Sequence, residues 1–593
     1  MSRGYGPAAV RRAHRTRRAV VHERPPATSA GPLGVHPEPP TVARYLTGAA
    51  SHITLAQCAR ILTGLLWLGW ANWWASQSTA AAAPLIATIQ TAAAMAIMAG
   101  AVLIRSERGT RRFDAVLLFG TLGMLAMLGM AVATSTGYGT DELVYDQSAA
   151  AGLVHGVNPY TTNFTSSLSA FGVYGGGTMT LHGTVVPWIA YPSLSFLLYV
   201  PFVALMGPQS YAGLLVDMIA WVGAGAILWR LMNPAVRPWV PILLAVPVLF
   251  SSIVGGMTDS LFLPFEIVAV CCWDRFADPN ERSVARWIGP VALGLACCIK
   301  QPPWLIAPFL LIGVAVEAHR RGQDWRRVGA RYVAIAAAVF LIPNIPFIIW
   351  NPAAWASRVL LPLTGSLVPM GIGPAGLLRA YNIGGGNLSM FGAASLTAMV
   401  AVLLLYVRHY PRLTKAIPLL PLVVLFVSSR NLGTYFGFCV PALAVNAGSI
   451  RTSAVQLVRS RMAGLLTAAT MVAAIASAGL LAAALSWPAP TRVTVTSSHA
   501  TASALFASVV VQNTSDQAIV PHFILATGAF YQQGMDVAGG PSTLPPHSTT
   551  TLDLTTALGP LTPRAGGEFQ VQVGTLAPDT FSSSPVALVA QGP

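Results

Sequence analysis

Charge is what this chain has least of. Only 9% of its 593 residues are Asp, Glu, Lys or Arg, while 54% are hydrophobic. A soluble domain carries about 25% charged residues, so a water-facing globular fold is excluded. Thiol chemistry is just as thinly provided. The six cysteines (Cys58, Cys271, Cys272, Cys297, Cys298 and Cys439) lie in or beside apolar segments with no CxxC spacing. They read as small core hydrophobes, and neither a disulfide framework nor a thiolate metal site is expected. Uncharged segments near 20 residues long recur along most of the chain, and that length matches a hydrocarbon core of about 30 Å. Lipid offers backbone groups no water, so such segments must be helical.

The net charge of +15 would suggest nucleic acid in a soluble protein. Here the basic residues fall in short loops between apolar segments, as the positive-inside rule requires, and no nucleic-acid partner is expected. Thirteen spans follow, at roughly 55–75, 82–104, 113–134, 212–230, 239–254, 258–273, 286–299, 303–317, 331–349, 388–407, 414–429, 432–447 and 463–486. Loop 105–112 holds four Arg, loop 318–331 five, and loops 408–415 and 451–461 three basic residues each; loop 135–187 holds none in 53 residues. Basic loops lie on the cytoplasmic side, which places 135–187 and the sparsely basic 350–387 outside. Residues 190–206, with Pro192 and Pro201, are apolar enough to cross. A crossing there would invert every later loop, so this segment is expected to lie along or dip into the outer face.

Three regions result. Residues 1–50, with eight Arg and many Pro but no apolar run, read as a disordered basic cytoplasmic tail rather than a signal peptide. Residues 51–486 form the membrane domain, with a large outer loop at 135–211. In 487–593 the apolar runs shorten and alternate with Thr, Ser and Gln, as in TRVTVTS (491–497), LFASVVVQN (505–513) and GEFQVQVG (567–574), separated by Pro and Gly turns. That pattern predicts a small antiparallel β-sandwich outside the membrane. The fold class is therefore a polytopic α-helical membrane protein with a C-terminal β-domain.

Chemistry concentrates in GTDELVYDQSAAAGLVHGVNPYTTNF (139–164). Asp141, Glu142 and Asp146 have no basic residue in their loop, and Asp141 and Tyr145 sit one helical turn apart. A hydrated loop with acids at a helix N-terminus explains them equally well. Asp259, Lys300 with Gln301, and Arg430 with Asn431 and Tyr435 stand at the ends of three other apolar segments. Charges at membrane depth usually mark a site, although each alone is explained by snorkelling. Together they bring cations able to hold a phosphate near carboxylates able to act as a base. Gly175-Gly176-Gly177 and Gly384-Gly385-Gly386 lack the Lys-Ser/Thr of a phosphate loop and read as flexible loops.

The pattern Asp141, Tyr145, Ala149-Ala150, Gly156, Asn158, Pro159 and Tyr160, followed by Tyr191-Pro192-Ser193-Leu194, resembles the C-type glycosyltransferase fold. It is most similar to the polyprenol-phosphate-dependent mannosyltransferases of glycosyltransferase family 87. Gly256-Met257-Thr258-Asp259-Ser260-Leu261 and Ile299-Lys300-Gln301-Pro302-Pro303 resemble further stretches of that family. The likeness covers roughly residues 113–445. Two spans precede the acidic loop where that fold usually has none, Glu142 after Asp141 is more like the protein mannosyltransferase and aminoarabinose transferase branches, and the β-domain is an addition. The resemblance implies inverting transfer of a sugar from a polyprenyl-phosphate donor to a glycan or glycolipid acceptor at the outer face of the plasma membrane.

On that reading Asp141 is the general base, with Glu142 beside it, and Lys300 and Arg430 bind the donor phosphate. Tyr145, His155, Asn158, Tyr160, Tyr191, Asp259, Gln301 and Tyr435 contact substrate. His155 also reads as a helix-end surface histidine, and Tyr145, Tyr160 and Trp188 as interfacial aromatics. Glu142 and Asp259 are candidates to orient the sugar or hold a divalent ion, and no metal is assigned. A transporter or flippase without catalysis is the competing class; no internal repeat of the transporter kind is visible.

Overall fold

The computed structural model describes residues 54–590, except 77–82, 105, 174–176, 247–248, 251–252, 254, 443–459, 529–530, 558–561 and 577. The expected cytoplasmic tail at 1–50 lies outside the described residues. Eleven longer helices build the first part: α1 (Leu55–Ser76), α2 (Ala83–Leu103), α3 (Glu107–Thr136), α4 (Asp141–Val154), α5 (Ala212–Leu231), α6 (Asp259–Cys272), α7 (Ala285–Ile299), α8 (Ala307–Arg320), α9 (Trp325–Trp350), α10 (Ser389–Arg408) and α11 (Ser460–Ser486).

Seven helical stretches among the described residues are long and apolar enough to cross a membrane: α2, α3, α5, α8 with the turn before it, α9, α10 and α11. Thirteen were expected; the other six segments are short, broken or interrupted by charge over the residues described. Pro241 lies in the first turn of a five-residue helix, Val240–Leu244, and separates it from the 3-10 turn before it, while Pro418 and Pro421 divide 414–426 into a 3-10 turn and a seven-residue helix. Proline removes a backbone donor and crowds the preceding turn. Helices α6 and α7 have 14 and 15 residues, only about 21–23 Å at 1.5 Å per residue. Helix α1 has the length, but its apolar face is interrupted by Arg60, which is buried in an ion pair with Asp114 of α3 at 2.6 Å. The expected span at 432–447 begins as a 3-10 helix at Gly433–Phe438, and 443–447 lie outside the described residues. Residues 190–206 form two short helices, Leu194–Leu197 and Val200–Met206, too short to cross.

Packing pairs α1 with α2, α6 with α5 and α7, α7 with α9, and α10 with α11. The last pair runs close enough for Ser477 Oγ to donate to the Ala394 carbonyl at 2.8 Å. The main core gathers Leu118, Leu143, Tyr160, Phe196, Leu261 and Phe347, so the segment 141–203 is built into the bundle rather than laid over it.

A short parallel pair, β1 (Met370–Gly371) and β2 (Arg430–Asn431), precedes the C-terminal region, whose strands pair antiparallel: β3 (Thr491–Ala500), β4 (Ala504–Asn513), β5 (His522–Thr527), β6 (Tyr531–Gly539), β7 (Thr549–Ala557), β8 (Glu568–Thr575), β9 (Thr580–Ser583) and β10 (Ala587–Leu588), with one parallel bridge between His499 and Ala590. The order β10-β8-β5-β6-β7-β4-β3, with β9 also on β8, makes one curled sheet instead of the two faces of the expected sandwich. The curl brings the edges together. Ala590 N–H donates to Ser498 O at 3.2 Å, and Thr491 Oγ1 lies 2.8 Å from Ser582 Oγ. Alternation follows from this, with Leu505, Val509, Val511, Leu525, Leu552 and Val571 filling the inside.

The sheet is docked on the helical part. Phe581 N–H donates to Gly385 O at 2.9 Å, Leu388 N–H to Asp579 O at 3.0 Å, and Arg379 Nη2 to Gly528 O at 2.9 Å. A dry contact of Met179, Leu181, Val368, Leu378, Ile524 and Phe581 underlies these bonds. Truncating Leu525 to Ala should cost about 2–5 kcal/mol, read as a lower unfolding temperature of the purified full chain in detergent.

Candidate functional site

Helix α4 begins at Asp141 because Thr140 takes the extended conformation of an N-cap, and Thr140 Oγ1 donates to Gly256 O at 2.9 Å. Leu143 N–H donates to the same carbonyl at 3.0 Å. The first turn of α4 is thereby fastened to the turn that starts α6, and the positive end of its dipole favours the two carboxylates placed there. Thr258 N–H reaches back to Glu142 Oε2 at 3.1 Å.

These residues open on a cavity of about 230 Å³ lined by Asp141, Glu142, Tyr145, Tyr191, Lys300, Gln301, Arg430 and Tyr435, eight of the twelve residues singled out in the sequence, together with Trp188, Thr178 and Ser429. Asp259 sits behind it, against Lys300. The other three do not line the cavity. His155 caps the C-terminus of α4 and is exposed. Asn158 accepts from Tyr160 N–H at 3.0 Å as the cap of a 3-10 turn. Tyr160 is buried against Phe196 and Phe347, its hydroxyl donating to Tyr191 O at 2.8 Å. The Asn-Pro-Tyr stretch therefore supports the cavity wall from behind.

The charges divide into two groups. Lys300 Nζ lies 2.7 Å from Glu142 Oε2 and 3.2 Å from Asp259 Oδ1, all three side chains largely buried, with the Tyr191 ring 5.1 Å from the ammonium. Burial opposes ionisation of Glu142, but Lys300 overcomes it and holds the carboxyl below its ordinary value. Both candidate metal ligands thus converge on an ammonium. Asp141 and Arg430, by contrast, have no oppositely charged partner within 4 Å among the described residues. Asp141 Oδ2 accepts from Thr178 N–H at 2.7 Å. Burial raises its carboxyl above the usual value, Glu142 adds to the rise, and the Thr178 bond and Arg430 counter it. The Arg430 guanidinium donates to the Val368 carbonyl at 3.4 Å. It is set by the parallel pairing of β1 (Met370–Gly371) with β2 (Arg430–Asn431).

Other side chains serve the frame. Tyr145 donates to Val186 O at 2.8 Å, and Gln301 Nε2 to Ala190 O and Val359 O at 2.7 and 2.8 Å. Asp146, on the buried side of α4, accepts from Ser195 Oγ at 2.7 Å; burial pushes its carboxyl up to about 8. Arg358 stacks its guanidinium 3.3 Å above the Trp188 ring. Thr178 escaped notice because it acts through its backbone, which carries no residue signature. Arg358 was visible as one of two basic residues in 350–387, but nothing in the pattern linked it to Trp188.

No protein-family model matches this chain, and no curated protein does. Among solved structures it is similar to an alkylpurine DNA glycosylase of Pseudomonas fluorescens bound to DNA containing an abasic-site analogue, at 10% identity over 68% of this chain and 100% of that one. The TM-score is 0.16, too low for the likeness to bear on fold or activity.

Replacing Lys300 by Met should strand two buried carboxylates and lower stability by roughly 3–5 kcal/mol. Glu142→Gln in the same chain should recover part of that loss. Thermal unfolding of the three proteins in detergent measures the coupling.

Proposed function

We propose that this protein is a membrane glycosyltransferase of the C-type, transferring a sugar from a polyprenyl-phosphate donor to a glycan or glycolipid hydroxyl with inversion. The observation that carries the reading is the pairing pattern: one carboxylate and one guanidinium, Asp141 and Arg430, line the same cavity with no charged partner among the described residues. The cavity opens among apolar residues that suit a lipid chain, including Leu361, Leu363 and Leu425. In this reading the N-terminus is cytoplasmic, while the cavity and the β-domain face away from the cytoplasm.

Asp141 accepts the proton of the acceptor hydroxyl as its oxygen forms a bond to the anomeric carbon from the face opposite the lipid. The bond from that carbon to the phosphate oxygen breaks, and the lipid phosphate leaves with the electron pair. The phosphate is already an anion and needs positive charge rather than a proton, which Arg430 supplies. Lys300, engaged by two carboxylates, holds the frame and lends long-range charge. Tyr191, Tyr435 and Trp188 offer flat faces to the sugar.

The test is transfer from radiolabelled polyprenyl-phosphate sugars by purified wild type and Asp141→Asn. Loss of a general base should cost about 10²–10⁴-fold in rate. Equal transfer by both proteins would remove Asp141 from the reaction. Transport of a lipid-linked glycan without transfer would favour the flippase reading. Because burial raises the Asp141 carboxyl, and the base works only when deprotonated, activity should fall with decreasing pH at a value above the usual carboxylate range near 3.9. A pH profile of kcat/KM reads this directly.

A further inference from the structure

Asp141 receives its Thr178 hydrogen bond from a segment that leaves the helical bundle. Residues 179–185 turn back on themselves, with Thr180 N–H donating to Thr184 O at 2.9 Å, and the tip of this hairpin lies on the curled sheet. The approach is backbone to backbone. A Cβ at Gly534 of β6 would run into the Gly183 carbonyl, and one at Gly574 of β8 into the Leu181 carbonyl. Met179 and Leu181 are buried against Ile524 of β5 and Phe581 of β9.

The same sheet also secures the second charged group. Val368 N–H donates to Met179 O at 3.0 Å and Leu181 N–H to Ser366 O at 2.8 Å. The hairpin therefore continues into the segment whose β1 pairs with Arg430, and whose far end is held by Phe581 and Ser583 of the sheet.

We propose that the β-domain is a positioning element of the site: by seating the 179–185 hairpin on Gly534 and Gly574, it sets the Thr178 N–H against Asp141. This assignment rests on the transferase reading for its kinetic consequence, but the brace itself is physical and can be read without turnover. Asp141 is faced by Glu142 and Tyr145 on its own helix, by Tyr191 beyond the hairpin and by Arg430 of β2. Arg430 is tied to the hairpin through Val368, and Tyr145 through Val186. Loss of the Thr178 N–H bond and withdrawal of Arg430 act in the same direction, and both favour the protonated carboxyl.

The experiment uses the full chain with Gly534→Ala and Gly574→Ala, and Val537→Ser, an exposed site on β6, as control. Amide hydrogen exchange over 178–186 and the pH profile of kcat/KM are the two readouts. Both glycine variants should keep the far-UV spectrum of wild type and exchange faster at 178–186. Their acid limb should move up by about one pH unit, the size of one charge-assisted hydrogen bond, with activity recovering at higher pH. The control should match wild type. Ile524→Ala loosens the same contact more gently and gives the same readouts if the glycine variants do not fold. Folded variants with unchanged exchange at 178–186, or with faster exchange and an unmoved profile, overturn the proposal. Absence of transfer by wild type overturns the transferase reading, and the exchange result alone then decides the brace.

Discussion

Three ionisable side chains from three different helices meet in the interior: Glu142 from the start of α4, Asp259 from the start of α6 and Lys300 from the end of α7. A lone charge at such a place would be expelled or neutralised, because the surroundings offer it little solvation. The ammonium between two carboxylates is tolerable only while all three helix ends stay together. This requirement fixes where α4 can begin, and α4 in turn presents Asp141. The turn at Gly255–Thr258 reinforces the arrangement by giving backbone partners to Thr140, Leu143 and Glu142. The rest of the cavity is hung on that joint.

The division of charges that follows is the main chemical content of the site. In a cavity with mostly apolar walls, ions interact strongly over short distances, so a carboxylate already paired is a poor base and a paired ammonium a poor phosphate ligand. Glu142 and Lys300 cancel one another's availability. Asp141, held by one backbone N–H, and Arg430, held by one carbonyl at 3.4 Å, keep theirs. Two residues adjacent in sequence, Asp141 and Glu142, thus stand in different electrostatic settings, fixed by their partners and not by their side-chain type.

Much of this was legible from residue types alone. The acidic start of the 141–154 helix, the cationic ends at Lys300 and Arg430, and their convergence followed from how rarely charge occurs in apolar sequence. The failures are as physical. Proline pairs and short helices defeat a count of spans from hydropathy, because an apolar run around Pro241 or Pro418 is indistinguishable from a continuous helix until the backbone is followed. The sandwich expectation failed because alternation along a strand reports which side is buried, and says nothing about whether a sheet faces a second sheet or itself. Asn158 and Tyr160 drew attention through their motif, yet they cap a turn and fill a core. Thr178 was invisible for the opposite reason, since any residue but proline could supply its hydrogen-bond donor.

The closure of the curled sheet limits how this region can meet other molecules. An open sheet invites company along its unpaired edge, where a foreign strand can add itself through backbone bonds that ignore sequence. Here the edge of β3 that β4 leaves free meets the chain at Ala590 near one end and touches β9 through Thr491 and Ser582 at the other, so both ends of that edge are already occupied. Whatever engages this surface must be recognised by side chains and turns, one feature at a time. The domain is accordingly suited to selective contact, and it is guarded against the indiscriminate strand pairing that neighbouring copies, crowded in the plane of a membrane, would otherwise promote.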